Sequence, residues 1–481
     1  MPTHRLPDNP DLAKLRKQAK TLRQYVVAGV PQALELVAEF HPRRPDEFKL
    51  ADAQLVTARM YGFASWPRLV DHVGVVARYS RSPHRVPPSG ELPDELLRLA
   101  CLTYGADSAG RSGGADALLA EHPELATANA FTMAATGSAE ALGDVLDSAP
   151  DLASRQGGPF GWEPLLYLTY SRLDGDRDWL AAARILLDRG ADPNAGYLWD
   201  GLTSPFTALT GAFGGGEGDQ PPHPAGLALA RLLLGAGADA NDAQTLYNRG
   251  LGGSWEDDTE VLELLFEFGL GRGDGGVWKA RLGPTLPTPE RLVRDELATA
   301  ALRGGPRRAR LLLQHGADVD GVGGHPAYGG RTPLELALLN GHREVAEILE
   351  AAGGTARLAE VETFLVAVMR GDAGAVAAHP AETVGALRRG HPDLVGRAAE
   401  QRNIPAVRLL VSLGWDVNHL GRTTAMHHAA WNDDVAMARA LLELGADPAI
   451  SDEVHHSTPL GWAEFGGKQE VAAYLRSLPQ P

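Results

Sequence analysis

The sequence of 481 residues predicts an all-α protein built from stacked pairs of helices. Two observations lead to this prediction: a ten-residue helical pattern recurs along the chain, and a short helix-start motif precedes several of its copies. Aromatic residues make up only 6% of the chain and glycine accounts for 56 residues, which suits close-packed helices joined by tight turns. Because the chain is too long for one ordinary core, an array that grows by stacking explains its size.

The recurring pattern joins a leucine-rich helix to a closing glycine and aspartate. Glycine takes the left-handed conformation that ends a helix, and aspartate shapes the turn that follows. The five gapless copies are 183–192 (ARILLDRGAD), 230–239 (ARLLLGAGAD), 309–318 (ARLLLQHGAD), 407–416 (VRLLVSLGWD) and 438–447 (ARALLELGAD).

The helix-start motif is Thr-Pro-Leu at 332–334 and 458–460, with the variant TAMHHAA at 424–430. The threonine hydroxyl can accept a hydrogen bond from an otherwise unpaired amide at the helix start, and proline is tolerated in the first turn. The motif therefore predicts a short helix in front of each leucine-rich helix.

Taken in order, the two patterns resemble the ankyrin repeat, in which Thr-Pro-Leu-His-x-Ala-Ala precedes a Leu-Leu helix and a Gly-Ala-Asp-x-Asn turn. The spacing agrees with a period near 33, since Thr424 and Thr458 lie 34 residues apart and Gly414 and Gly445 lie 31 apart. The resemblance implies an ankyrin-repeat solenoid of about ten repeats. Several repeats are degenerate, as is usual in bacterial ankyrin-repeat proteins, so we expect a bacterial source.

The expected organisation has five parts. These are a helical N-terminal unit at 1–79, a linker at 80–91, degenerate ankyrin repeats at 92–270, a long inserted loop at 271–293, and ankyrin repeats with a C-terminal cap at 294–481. Within the first part, helices are predicted at 12–28, 32–40, 50–61 and 67–76. We expect this unit to cap the apolar face of the first repeat.

Charge separates the first part from the rest. Residues 1–90 carry a net charge of +6, whereas the whole chain carries −16. An acidic array disfavours nucleic acid and anionic membranes as partners. No window is apolar enough for a membrane span, and the polar start is unlike a signal peptide. We therefore expect a soluble, cytoplasmic monomer.

Residues that could carry chemistry are few. Cys101 lies in an apolar stretch, which favours a buried thiol. The pairs His427-His428 and His455-His456 lack cysteine or carboxylate partners at ligand spacing, and the resemblance implies a structural role for His427. The sequence therefore predicts no catalytic residue, cofactor or metal, and a protein that is not an enzyme.

The resemblance implies that the residues after the Ala-Ala position face a concave, partner-binding surface. Tryptophan, methionine and arginine there would suit an interface. The candidate residues are Leu302, Arg303, Leu339, Asn340, Met369, Arg370, Glu400, Gln401, Trp431, Asn432 and Phe465. The open alternative is that Trp431 or Phe465 packs on a neighbouring helix. A second candidate surface consists of the loop aromatics Tyr197, Trp199, Trp278 and Tyr328.

Two functional hypotheses follow. The first is a protein–protein interaction scaffold or adaptor that binds a protein partner on the concave surface. The second is a regulatory module whose basic N-terminal helices bind an acidic partner or nucleic acid, with the solenoid as sensor or inhibitor.

Overall fold

The computed structural model describes residues 6–7, 9–43, 45–105, 107, 109–252 and 255–478. The chain forms two compact units, Met1–Glu296 and Leu297–Pro481. Both units are mainly helical, which confirms the predicted all-α class.

The first unit begins with four helices, and their bounds are close to those predicted. They are α1 (Leu12–Val27), α2 (Pro31–Phe40), α3 (Leu50–Met60) and α4 (Trp66–Tyr79). The Asp11 carboxylate starts α1 by accepting a hydrogen bond from the Ala13 amide at 2.7 Å, as expected of an N-cap residue. Small apolar clusters, one of them around Leu22, Val37 and Val56, hold the four helices together.

The remainder of the first unit contains pairs of short helices. They are α5 (Leu92–Ala100), α6 (Ala109–Glu121), α7 (Ala130–Thr136), α8 (Ala139–Ser148), α9 (Pro164–Tyr170), α10 (Trp179–Asp188), α11 (Ala208–Phe213), α12 (Gly226–Gly235), α13 (Ala243–Arg249), α14 (Glu260–Glu267) and α15 (Gly276–Leu282). One row consists of α5, α7, α9, α11 and α13 packed side by side, and a second row contains α8, α10 and α12. Two stacked rows are the arrangement expected of a helical solenoid.

A small sheet interrupts the helices of the first unit. Strand β1 (Ser80–Arg81) runs parallel to β2 (Gly196–Trp199), which pairs antiparallel with β3 (Pro205–Thr207). The predicted linker at 80–91 is therefore not a free connector, because its first two residues belong to the sheet. Local sequence gives no signal for a two-residue strand whose partner lies more than a hundred residues away.

The predicted inserted loop at 271–293 is also partly helical. It contains α15, whose Trp278 is buried and donates its indole N–H to the Asn194 carbonyl at 3.0 Å. Helix α4 packs on α15 and β2, with the rings of Tyr79 and Trp278 5.0 Å apart. The N-terminal helices therefore contact the repeats at α15 and β2. That they cap the apolar face of the first repeat stays a prediction.

The second unit contains the carboxyl-terminal part of α16 (Pro289–Arg303) and the helices that follow. These are α17 (Pro306–Gln314), α18 (Pro333–Leu339), α19 (Arg343–Ala351), α20 (Glu360–Met369), α21 (Ala373–Ala377), α22 (Ala381–Gly390), α23 (Leu394–Glu400), α24 (Ile404–Ser412), α25 (Ala425–Trp431), α26 (Val435–Glu443), α27 (Pro459–Phe465) and α28 (Gln469–Arg476). The last six helices form three pairs. The first helix of each pair (α23, α25 and α27) packs in one row, and the second helix (α24, α26 and α28) packs in another. Their leucines and alanines form one continuous core.

The motifs act at the helix ends as predicted. The Thr458 hydroxyl accepts a hydrogen bond from the Gly461 amide at 3.3 Å to start α27. Gly414 and Gly445 end α24 and α26 with φ of 90° and 92°, a conformation that residues with a side chain adopt at a cost.

Asparagines in the turns connect neighbouring repeats. In the second unit, Asn418 donates to the Gly445 carbonyl at 3.0 Å and accepts from the Asp447 amide at 2.7 Å. Asn194 bridges two turns of the first unit in the same way, at 2.9 Å for each bond, and so does Asn241, at 3.0 and 2.9 Å. The two units therefore use the same connection between turns.

Candidate functional site

An exposed group of side chains lies at the ends of α25 and α27. Trp431 is 46% exposed and Phe465 is 90% exposed. The Trp462 ring packs edge-on against Trp431, with centroids 5.7 Å apart and planes at 78°, a favourable aromatic geometry. The Lys468 ammonium lies 5.5 Å from the centre of the Trp431 ring, within the range of a cation–π contact. We call Trp431, Trp462, Phe465 and Lys468 the aromatic surface.

Backbone geometry leaves room for this packing. A side chain at Gly466 would place its Cβ 3.1 Å from the Trp431 ring, closer than an ordinary van der Waals contact. Glycine at this position therefore lets the end of α27 approach Trp431.

Asp452 fixes the orientation of Trp462. Its carboxylate accepts the Trp462 indole N–H at 2.9 Å, and it also accepts backbone N–H groups of Val454, His455 and Ser457 at 2.8, 2.6 and 3.0 Å. These hydrogen bonds to the charged form hold the pKa of Asp452 below its usual range. The loop before α27 is thus tied to the aromatic surface.

His427 contacts both the loop before α27 and the Trp462 ring. One ring nitrogen lies 2.8 Å from the Thr424 hydroxyl, the other lies 3.0 Å from the Ser457 carbonyl, and the ring packs edge-on against Trp462. Burial lowers the pKa of His427, so the neutral form, which donates to Ser457, is favoured. The structural role that the sequence analysis gave to His427 matches these contacts.

Three polar residues of the predicted partner-binding surface donate hydrogen bonds to backbone carbonyls. The Asn432 side chain donates to the Glu400 carbonyl at 2.8 Å, and the Gln401 side chain donates to the Asn340 carbonyl. Asn340 itself donates to Leu336 at 2.8 Å within its own helix. Since helix ends leave carbonyls without intrahelical partners, Asn432 and Gln401 satisfy the ends of neighbouring helices, whereas Asn340 bonds to its own helix.

The other candidate residues of the predicted partner-binding surface lie in different environments. Met369 is buried in the core of the second unit, so the prediction that it flanks Trp431 on the surface is wrong: its position in α20 turns it toward the neighbouring helices. Arg370 forms an ion pair with Glu350 at 2.7 Å. Leu302, Arg303 and Leu339 are half-buried, and Glu400 is exposed.

The second predicted surface does not form. Tyr197, Trp278 and Tyr328 are buried, and Trp199 is half-buried with its ring stacked on His84 at 4.4 Å. These aromatics fold back onto their own unit because projecting loops must bury apolar area to be ordered.

Sequence reasoning missed Trp462 and Lys468. The sequence did contain a signal for Trp462. It lies four residues after Thr458, and His428 lies four residues after Thr424, so the two residues occupy matching positions in adjacent repeats. Residues at matching positions of adjacent first helices lie side by side in a solenoid.

The thiol of Cys101 has little access to solvent. Cys101 is buried, and burial raises the pKa of its thiol to about 12, which disfavours the reactive thiolate. Within the described ranges, no group of three or more His, Cys, Asp and Glu side chains is placed to hold a metal ion. In the same part of the chain, no helix is long and apolar enough to cross a membrane.

Paired helices in two rows, joined by asparagine-bridged turns, define a helical-repeat protein. Residues 395–479 match the family model for ankyrin repeats in three copies, which correspond to the pairs α23/α24, α25/α26 and α27/α28. Residues 395–479 are therefore ankyrin repeats, which confirms the resemblance for this segment. No curated protein matches it. Ankyrin repeats generally mediate protein–protein interactions.

Proposed function

We propose that the chain is a non-enzymatic scaffold or adaptor that binds another protein through the aromatic surface. The observation that supports this most strongly is the exposure of Trp431 and Phe465 on adjacent repeats. Exposed apolar groups that lie together often mark interaction sites, and tryptophan is a frequent energetic centre of an interface.

The surroundings of Trp431 favour binding because the ring is held before a partner arrives. Trp462 and Lys468 contact the ring, and Asp452 holds Trp462. A preordered side chain loses less conformational freedom on association, so more of its contact energy contributes to affinity.

Charge indicates what kind of partner fits. Lys468 gives the aromatic surface a positive edge, while the nearby Glu464 is paired with Arg476 at 2.7 Å. A protein that presents an apolar side chain beside a carboxylate would bury Trp431 and Phe465 and pair with Lys468.

We also propose that the ankyrin array includes residues outside the matched segment 395–479. The asparagine bridges at Asn194 and Asn241 repeat the one at Asn418, which supports degenerate ankyrin repeats at 92–270. We further propose that the protein acts as a monomer in the bacterial cytoplasm, where its one cysteine needs no disulfide partner.

Affinity capture from extract of the native cell tests the function. The baits are the wild-type chain, a Trp431→Ala/Phe465→Ala variant and a Val454→Ala control, since Val454 is also exposed and apolar. We expect at least one protein whose recovery falls about ten-fold or more with the double variant only, as for the loss of an interface anchor. Equal recovery of every captured protein on all three baits would exclude the aromatic surface as the binding site.

A further inference from the structure

A second surface in the first unit is an open groove between the N-terminal helices. It has a volume of about 420 Å³ and is lined by residues from three N-terminal helices: Lys14, Lys17, Gln18, Thr21, Leu22, Tyr25, Leu36, Thr57 and Met60. The volume lies within the range of about 300–1,000 Å³ common for ligand sites.

The shape of the groove follows one face of α1. Lining residues from Lys14 to Tyr25 recur at intervals of three and four, so they form a single stripe along the helix. The eleven helical steps from Lys14 to Tyr25 span about 16 Å, or three turns. Leu36 of α2 and Met60 of α3 contribute to the other side. An elongated apolar groove of this length matches three turns of a bound helix.

Charge along the groove is one-sided. Two exposed lysines, Lys14 and Lys17, lie near the amino-terminal end of α1, and no carboxylate among the described residues lines the groove. The exposed Glu35 and Glu39 of α2 lie outside the lining. Toward the other end, Tyr25 is 53% exposed.

We propose that this groove binds an amphipathic α-helix of a partner protein, with acidic residues near Lys14 and Lys17 and apolar residues near Tyr25, Leu36 and Met60. Opposite charges at the lysine end would fix the direction of the helix and favour acidic partners.

A protein helix fits better than the two other classes of partner. Leu22 and Met60 are buried and Leu36 is half-buried, so these side chains line a recess and do not project as a bilayer-inserting face would. Nucleic acid needs cationic side chains along the path of its phosphates, whereas the lysines line only the α1 side of the groove.

The test uses the full chain carrying Trp431→Ala and Phe465→Ala, so that the aromatic surface does not contribute. A display library of 18-residue helical peptides is selected on this protein, and the dissociation constants of the enriched peptides are measured by fluorescence anisotropy. We expect enrichment of apolar residues at helical spacing with Asp or Glu at one end. Lys14→Glu/Lys17→Glu should weaken binding about ten-fold or more, which corresponds to about 1.4 kcal/mol.

Lys20→Glu is the matched control, since Lys20 is an exposed lysine of α1 that does not line the groove, and we expect it to change affinity by less than about two-fold. Tyr25→Ala is a second groove variant and should weaken binding without loss of helicity by circular dichroism. Peptides with Lys in place of their acidic residues should bind the Lys14→Glu/Lys17→Glu variant.

Three results would overturn the proposal: no enriched peptide, enriched peptides that bind the groove variants as tightly as the parent, or binding to phosphatidylserine vesicles or duplex DNA that the lysine variant abolishes. None of these results bears on the aromatic surface, which the selected protein lacks.

Discussion

The carboxylate of Asp452 accepts the indole N–H of Trp462 at 2.9 Å, and the Trp462 ring in turn packs edge-on against Trp431. One turn residue therefore connects the loop between the last two repeats to the exposed tryptophan. The position of the Trp431 ring therefore depends on Trp462, which contacts it, and on Asp452, which holds Trp462.

Asp452→Ala removes the acceptor of this indole and of three backbone N–H groups. We expect a lower melting temperature, because four partly buried N–H donors lose their acceptor, and weaker binding of the protein partner. Thermal unfolding followed by circular dichroism measures the first effect. Glu453→Ala, at the exposed neighbouring residue, should leave the melting temperature unchanged, and an equal loss in both variants would contradict the role of Asp452.

Acid should destabilise the first unit through His223. This side chain is buried against the Trp179 ring and accepts a hydrogen bond from the Ala225 amide at 3.0 Å. Burial, and then the charge of Arg172, lowers the pKa of His223 to about 3. The folded protein thus keeps His223 neutral, whereas the unfolded chain binds a proton below about pH 6.5. Its contribution to stability is complete above that pH and is lost as pH falls toward 3.

Between pH 7 and pH 5, His223 should account for a fall of about 2 kcal/mol in the free energy of unfolding. Urea titrations at the two pH values measure this fall. His223→Asn keeps an acceptor for the Ala225 amide and should remove most of the difference, while His455→Asn, at an exposed position, should preserve it. The same pH dependence in all three proteins would refute the assignment to His223.

Removing the last repeat should expose the core beneath it. Ala463, Val471 and Leu475 of α27 and α28 belong to the same apolar cluster as Leu441. Terminal repeats protect such a layer from water, so truncation after Ile450 should cause aggregation or loss of cooperative unfolding. Light scattering and urea unfolding test this expectation. A monomeric truncation that unfolds at the parent midpoint would contradict the repeat boundaries.

Local motifs were sufficient to predict the repeated elements. The threonine of Thr-Pro-Leu and the glycine of Gly-Ala-Asp act within one or two turns of helix, so their effect can be seen in sequence, as at Thr458 and Gly445. The exposed position of Trp431 also followed from its register after the Ala-Ala pair.

Long-range packing could not be predicted in the same way. Tyr197 and Trp278 have loop-like sequence surroundings but are buried. Strand β1 exists because β2 lies beside it, and no local pattern marks that pairing. Met369 has the right register for a surface residue, yet α20 places it in the core.

The most direct test of the central claim measures binding and stability together on Trp431→Ala. Using the protein partner identified by capture, titration calorimetry should show affinity reduced by about 2 kcal/mol or more, as for a central interface tryptophan. The free energy of unfolding should change by less than about 1 kcal/mol, since Trp431 is half-exposed. A loss of about 3 kcal/mol in stability, as for a core tryptophan, with unchanged affinity of the folded protein, would contradict the claim.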